Sequence, residues 1–311
     1  MNLDDVVEAR MSAPGLIAER LAARPRFAGV PRGANLLVIA ADHPARGALA
    51  VGGDPGAMAD RHDLLRRVVT ALGRPGVHGF LGTADLVEEL ALLGALDGKL
   101  VLGSMNRGGL AGAAFELDDR FTCYDARGIA DAGLDGGKML LRIDPDDPAS
   151  VATLEACARA VDELAERRLV AMVEPFWCTR VGGVLRTELS PDHVIRSMAI
   201  ASGLGRTSAY TWLKLPVVPE MARVTAATTL PTLILGGEVA EDADAAAARW
   251  AAALALPGVR GLVIGRSLLY PPDGDVAAAV DRAVALLDGP ALLDGPADPD
   301  VPDGAEEAPQ R

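Results

Sequence analysis

Lys214 sits in the middle of Ser-Ala-Tyr-Thr-Trp-Leu-Lys-Leu-Pro-Val-Val-Pro-Glu (208–220), a run of β-forming and bulky apolar residues. An ammonium in such a run is costly to bury unless it is paired or loses its proton. Lysine is also scarce: among 30 Lys+Arg residues the only lysines are Lys99, Lys138 and Lys214. A neutral lysine amine attacks carbonyls, and burial or a nearby cation brings its pKa from about 10.4 toward about 7–8. Lys138 can supply that cation, while its spacing at the start of an apolar run favours a solvated strand-start residue. Arginine cannot replace a reactive lysine, because its guanidinium effectively never deprotonates. The position equally suits a lysine that lays its stem along the strand end or pairs with a structural carboxylate. Two carboxylates, Glu174 and Asp42, close apolar runs and can move protons between substrate, water and lysine. Their structural alternatives are a salt bridge to Arg142 or Arg180 for Glu174, and a helix cap for Asp42.

The elements that must position these groups alternate along the chain. Short apolar runs occur at 35–41, 77–82, 99–105, 138–144, 168–174, 209–216, 231–237 and 259–265. They are continuous and not alternating, as strands buried on both faces are. Helical patterns fall at 58–72, 84–95, 126–134, 150–166, 191–204, 218–226, 242–256 and 275–287, with Asp147-Pro148 and Ser190-Pro191 as helix starts. Eight strand–helix units predict an α/β fold of the (β/α)8 TIM-barrel kind, preceded by an extra helix over about 2–22. The first strand lacks G-x-G-x-x-G, which disfavours a doubly wound dinucleotide-binding sheet, and there is no Walker A pattern. Residues 1–290 read as one barrel domain, and 291–311, rich in Pro, Gly and Asp, as a disordered acidic tail.

In a barrel the C-terminal ends of the strands carry the chemistry. That rule gathers Asp42, His43 and Arg46 after the first strand, Lys138 and Arg142 on the fourth, Glu174 and Arg180 around the end of the fifth, and Lys214 on the sixth. The seventh ends in Gly236-Gly237 and the eighth in Gly265-Arg266-Ser267. Loops after the last two strands commonly bind phosphate in barrels, where backbone N–H groups cradle an oxyanion and Arg266 can add charge-assisted hydrogen bonds. The alternative is that the glycines merely terminate strands. His43, His62, His78 and His193 form no H-x-H or H-E-x-x-H pattern, so the expectation is a chemistry without metal.

The formal net charge of −13 argues against nucleic acid as a partner while permitting a local basic pocket. No run of 18 apolar residues is present, and the acidic N-terminus does not resemble a signal peptide. Three scattered cysteines, Cys123, Cys157 and Cys178, suggest a reducing compartment, so the expected location is cytoplasmic.

Six segments together resemble a known family: "AADHPARG", "GGKMLLRID", "MVEPFW", "LKLP", "LGG" and "VIGRS", spread over 35–270. They are similar to the class I, Schiff-base aldolases of the fructose-bisphosphate and tagatose-bisphosphate type, and most of all to actinobacterial barrel proteins associated with myo-inositol catabolism. The resemblance implies Lys214 as the Schiff-base lysine, Glu174 as acid/base, Lys138 as second active-site lysine and Asp42 as the strand-1 aspartate. It implies a phosphate site at Gly237, Gly265 and Arg266, no cofactor, a phosphorylated small-molecule substrate and a homo-oligomer. The intervals of 36 positions from Lys138 to Glu174 and 40 from Glu174 to Lys214 each suit one β/α unit. The implied reaction cleaves 2-deoxy-5-keto-D-gluconate 6-phosphate to dihydroxyacetone phosphate and malonate semialdehyde, with Arg107, Arg142 or Arg180 binding a carboxylate. Other readings are deoxyribose-phosphate, tagatose-bisphosphate or fructose-bisphosphate aldolase, or a phosphometabolite-binding barrel without turnover. The chain departs from the family in Pro44-Ala45, in Phe176-Trp177 where the archaeal enzymes have a tyrosine, and in the unmatched segment 106–121.

Overall fold

A computed structural model describes residues 3, 5–237 and 243–287. The expected tail, 291–311, lies outside them. The elements in chain order are α1 (Asp5–Ser12), α2 (Gly15–Ala23), β1 (Leu36–Ala40), α3 (Arg61–Leu72), β2 (Gly79–Gly82), α4 (Ala84–Leu92), β3 (Leu100–Ser104), α5 (Ala126–Asp131), β4 (Gly136–Ile143) and α6 (Ala149–Glu166). They continue with β5 (Val170–Val181), β6 (Val184–Glu188), α7 (Pro191–Ser202), β7 (Thr211–Leu215), α8 (Met221–Thr225), β8 (Thr232–Leu235), α9 (Ala243–Leu254), β9 (Val259–Ile264), α10 (Arg266–Leu269) and α11 (Val276–Ala285).

Eight parallel strands run in the order β4-β3-β2-β1-β9-β8-β7-β5, and the β4–β5 pairing closes the ring. The TIM barrel expected from the sequence is the observed fold. Alternate residues of β1 show why the strands read as continuous apolar runs. Leu36, Val38 and Ala40 fill the barrel interior with Leu81, Leu100, Leu102, Met172, Leu233 and Val263. Leu37 and Ile39 face the other way and belong to the larger cluster shared with the helices.

Two features differ from the expectation. The N-terminal helix is two helices, broken at Ala13-Pro14, because proline closes off helix continuation from the preceding turn. The fifth strand does not stop at Glu174. β5 leaves its partner β7 after Val173, stays on β4 to Trp177, and from Trp177 to Val181 pairs antiparallel with β6. Pro175, with no N–H to donate, falls in the gap between these two ladders. The hairpin turns at Gly182-Gly183, both with positive φ (59° and 82°), as a two-residue primed turn requires. Among the described residues no helix is long and apolar enough to cross a membrane.

Candidate active site

The expected sixth, seventh and eighth strands are β7, β8 and β9, and their register builds the floor of the site. Lys138 on β4 lies level with Met172 on β5, and Met172 level with Trp212 on β7. One pleat further up, Glu174 and Lys214 come side by side above Lys138. The Glu174 Oε1 to Lys214 Nζ distance is 2.8 Å. Its other oxygen, Oε2, takes the ammonium of Lys138. Lys138 Nζ also reaches Asp42 Oδ2 at 3.3 Å, and Arg107 makes an ion pair with the same Asp42 oxygen. Ser104 Oγ donates to Asp42 Oδ2 at 3.2 Å and accepts from Arg107 Nε at 3.1 Å. One chain of charged groups thus runs from Arg107 through Asp42, Lys138 and Glu174 to Lys214, and every member is buried.

Burial settles the charge of this chain. Two carboxylates face one guanidinium and two lysines, so full ionisation leaves one uncompensated positive charge in the interior. Loss of one lysine proton balances the set, and an unbalanced buried charge is what proteins avoid. Desolvation lowers the pKa of both lysines. For Lys214 the Glu174 carboxylate opposes that trend, and Arg107 and Arg266 reinforce it. Burial alone would raise the Glu174 pKa, but the charges and hydrogen bonds of Lys138 and Lys214 overcome it and hold the carboxyl below the ordinary range. Lys214 is the lysine that reaches an open space, so its amine is the one placed to meet a substrate.

That space is a cavity of about 960 Å³ at the C-terminal mouth of the barrel. Lys214, Glu174 and Leu140 lie at its floor, and His43, Arg46 and Arg107 on one side. Gly236, Gly237, Gly265 and Arg266 edge it at the ends of β8 and β9. Gly237 has φ +71°, and a Cβ on Gly265 would stand 2.2 Å from the Ala40 carbonyl oxygen. Glycine is therefore required at both positions by the backbone path. Arg266 has a buried Nε without a hydrogen-bond partner among the described residues.

The structure places five of the expected positions in settings the sequence did not show. Arg142 does not serve the cavity: it is clamped by Asp119 at 2.7 Å and by Glu116, anchoring segment 106–121 to β4. Arg180 lies on the hairpin and pairs with Asp147 at 3.1 Å. Neither lines the cavity. Lys138, expected as a second active-site lysine, is 0 % exposed beneath the floor, where it meets Glu174 and Asp42. Asp42 is likewise sealed, at 1 %, by Arg107, Ser104 and Lys138. Arg46 lines the cavity, but its Nη2 is already engaged by Glu116 at 3.1 Å.

The sequence reading missed the cavity's outer wall. Leu185 to Leu189 of the hairpin, and Arg249 and Trp250 of α9, line it. The Gly-Gly pair between Val181 and Val184 was a usable hairpin signal; nothing local in α9 marked Arg249. Among the described residues no group of three or more His, Cys, Asp or Glu side chains is placed to hold a metal.

The closed ring of eight parallel strands with helices outside is a TIM barrel, and the buried lysine pair sharing one carboxylate lies under its C-terminal mouth. The chain is a member of the Cgl0159-like family, whose model matches residues 34–284. It is 53% identical to Cgl0159 from Corynebacterium glutamicum (Brevibacterium flavum), whose crystal structure superposes with a TM-score of 0.89 over 92% of this chain and 96% of that one. A Schiff-base-forming fructose-1,6-bisphosphate aldolase is similar at a TM-score of 0.63 and 18% identity, covering 87% of this chain and 99% of that one. An archaeal fructose-1,6-bisphosphate aldolase, with its catalytic lysine bound to the carbinolamine intermediate of its substrate, gives the same TM-score and identity, covering 88% and 100%. At that identity the likeness is one of fold. No curated protein sequence matches the chain.

Proposed function

We propose that this protein is a class I aldolase that cleaves a phosphorylated keto-sugar or keto-sugar acid through a Schiff base on Lys214. The observation that carries the reading is the Glu174 carboxylate held between Lys138 and Lys214, with Lys214 alone of the two lysines lining the cavity. Neutral Lys214 adds to the substrate ketone. Glu174 Oε1, in hydrogen-bond contact with Nζ, moves the protons that convert carbinolamine to iminium. The iminium then accepts the electron pair of the bond being cleaved. Lys138 keeps Glu174 ionised, and the glycine edges of β8 and β9 with Arg266 hold the phosphate.

The proposed substrate is 2-deoxy-5-keto-D-gluconate 6-phosphate, giving dihydroxyacetone phosphate and malonate semialdehyde. Of the arginines expected to bind its carboxylate, Arg107 is the one that lines the cavity. The test is borohydride reduction of protein incubated with dihydroxyacetone phosphate, followed by peptide mapping, and then a panel of phosphorylated ketoses and keto acids assayed for triose phosphate release. An adduct on Lys214 is expected. Binding of phosphorylated ligands with no adduct would replace the proposal with a binding barrel that does not turn over.

A further inference from the structure

A cleavage of this kind needs a group that takes a proton from the substrate and gives it back. Besides Lys214, three cavity-lining residues can accept one: Glu174, Glu188 and His43. Glu174 has both oxygens engaged, one by each lysine. Glu188 sits on the hairpin and accepts the Thr179 hydroxyl at 2.5 Å. His43 is different. It follows the end of β1 and caps the 3-10 turn Pro44–Arg46. Its Nδ1 is buried without a hydrogen-bond partner among the described residues, and so is Asp42 Oδ1, 3.8 Å away. The side chain is 25% exposed. With Nδ1 sealed, the edge of the ring carrying Nε2 is the one open to the cavity.

We propose that His43 is the proton-transfer residue of carbon–carbon bond cleavage, with Asp42 as the group that steadies it. The inference rests on the Schiff-base reading of Lys214. In the cleavage step the bond between the carbons α and β to the iminium carbon breaks, and its electron pair passes into the iminium to give an enamine. The β-hydroxyl O–H breaks at the same time. Its electron pair forms the carbonyl of the departing aldehyde, and its proton goes to His43 Nε2. That proton then returns to the α carbon of the enamine and regenerates an iminium, which water hydrolyses to ketone and free Lys214. A positive imidazole draws its Nδ1–H onto Asp42 Oδ1, which has a lone pair waiting.

The surroundings make this residue responsive to substrate. Burial pushes the His43 pKa down to about 3, with Arg266, Lys214 and Lys138 adding to the shift and Glu174 opposing it. The resting imidazole is therefore neutral and free to accept. A phosphate dianion seated on Arg266 cancels the largest of those charges, and the positive charge of the iminium on Lys214 is discharged as the electron pair of the breaking bond enters it. His43 thus becomes a stronger base once substrate is in place.

The probe is dihydroxyacetone phosphate alone, in D2O. Deuterium entering its carbinol carbon reports enamine formation by the same proton transfer in reverse, while borohydride trapping reports the iminium separately. In His43→Gln, exchange is expected to fall about 100-fold, with trapping on Lys214 kept within about threefold. In His43→Ala, added imidazole is expected to restore exchange, which a merely structural histidine would not allow. Exchange at the wild-type rate in His43→Gln overturns the proposal, as does loss of trapping in both variants without imidazole rescue. A wild-type protein that forms no adduct overturns the Schiff-base reading and this inference with it.

Discussion

Glu174 and Lys214 stand 2.8 Å apart on neighbouring strands, and both line the cavity floor. The pairing ties two properties together. The ion pair resists deprotonation of Lys214, whereas burial and the positive charges of Arg107 and Arg266 favour it. Burial is the largest influence, so the balance falls on the side of a lysine more acidic than usual.

Adduct formation should follow that balance. The rate of borohydride-trappable imine formation is expected to rise with pH and to reach half its maximum below 10.5, the ordinary lysine value. Lys214→Arg should abolish trapping and lower turnover at least about 10⁴-fold, because the guanidinium stays protonated. A pH profile of trapping, read by mass spectrometry, checks both.

Removing Glu174 should cost stability as well as activity. Glu174→Gln leaves two buried lysines sharing a neutral amide, a loss of about 3–5 kcal/mol by analogy with broken buried pairs. The sign with pH is defined. Because the folded-state pKa of Glu174 lies below its ordinary value of 4.5, its contribution is fully present above 4.5 and is lost as pH falls toward the folded value. The difference in Tm between wild type and Glu174→Gln, measured by calorimetry, should be widest near neutrality and shrink below pH 4.5.

Neither Arg142 nor Arg180 lines the cavity, and the two differ in how deeply their ion pairs are buried. Arg142→Met strands the buried Asp119 and should cost about 3–5 kcal/mol, with little change in KM for the folded fraction. Arg180→Ala removes a partly exposed pair with Asp147 and should change stability by less than about 0.5 kcal/mol. Chemical denaturation together with steady-state kinetics separates the two.

The phosphate edge is tested by Arg266→Gln and Gly265→Ala. The first should raise KM for a phosphorylated probe about 10-fold or more, with a smaller effect on kcat. The second drives a Cβ against the Ala40 carbonyl, 2.2 Å away, and should destabilise by about 1–3 kcal/mol while shifting the backbone at this edge. Inorganic phosphate binding by calorimetry should weaken in both.

Much of this was legible in the residues. The eight apolar runs specify a barrel because strands buried on both faces leave no polar alternation, and the barrel rule then places Lys214, Glu174 and Lys138 on adjacent strands. Sequence could not show which side of a strand each charge faces in relation to the cavity. Arg142 on β4 looks as functional as Lys138 four positions earlier, yet its guanidinium is spent on Asp119 and Glu116 from a distant loop. Such pairings depend on tertiary contact and leave no local trace. The same is true of Arg249, an ordinary residue of an alanine-rich helix until α9 folds over the mouth.

The hairpin of β5 and β6 separates reaction from choice. Glu174 is fixed by the parallel ladder with β4, while Leu185 to Leu189, which bound the same cavity, hang from an antiparallel ladder that begins only at Trp177. Shortening or lengthening the ribbon by a matched pair of residues at the Gly182-Gly183 turn would reshape the wall and leave the lysine chain unmoved. The length of that ribbon would thus set which molecules fit the mouth while the floor stays as it is.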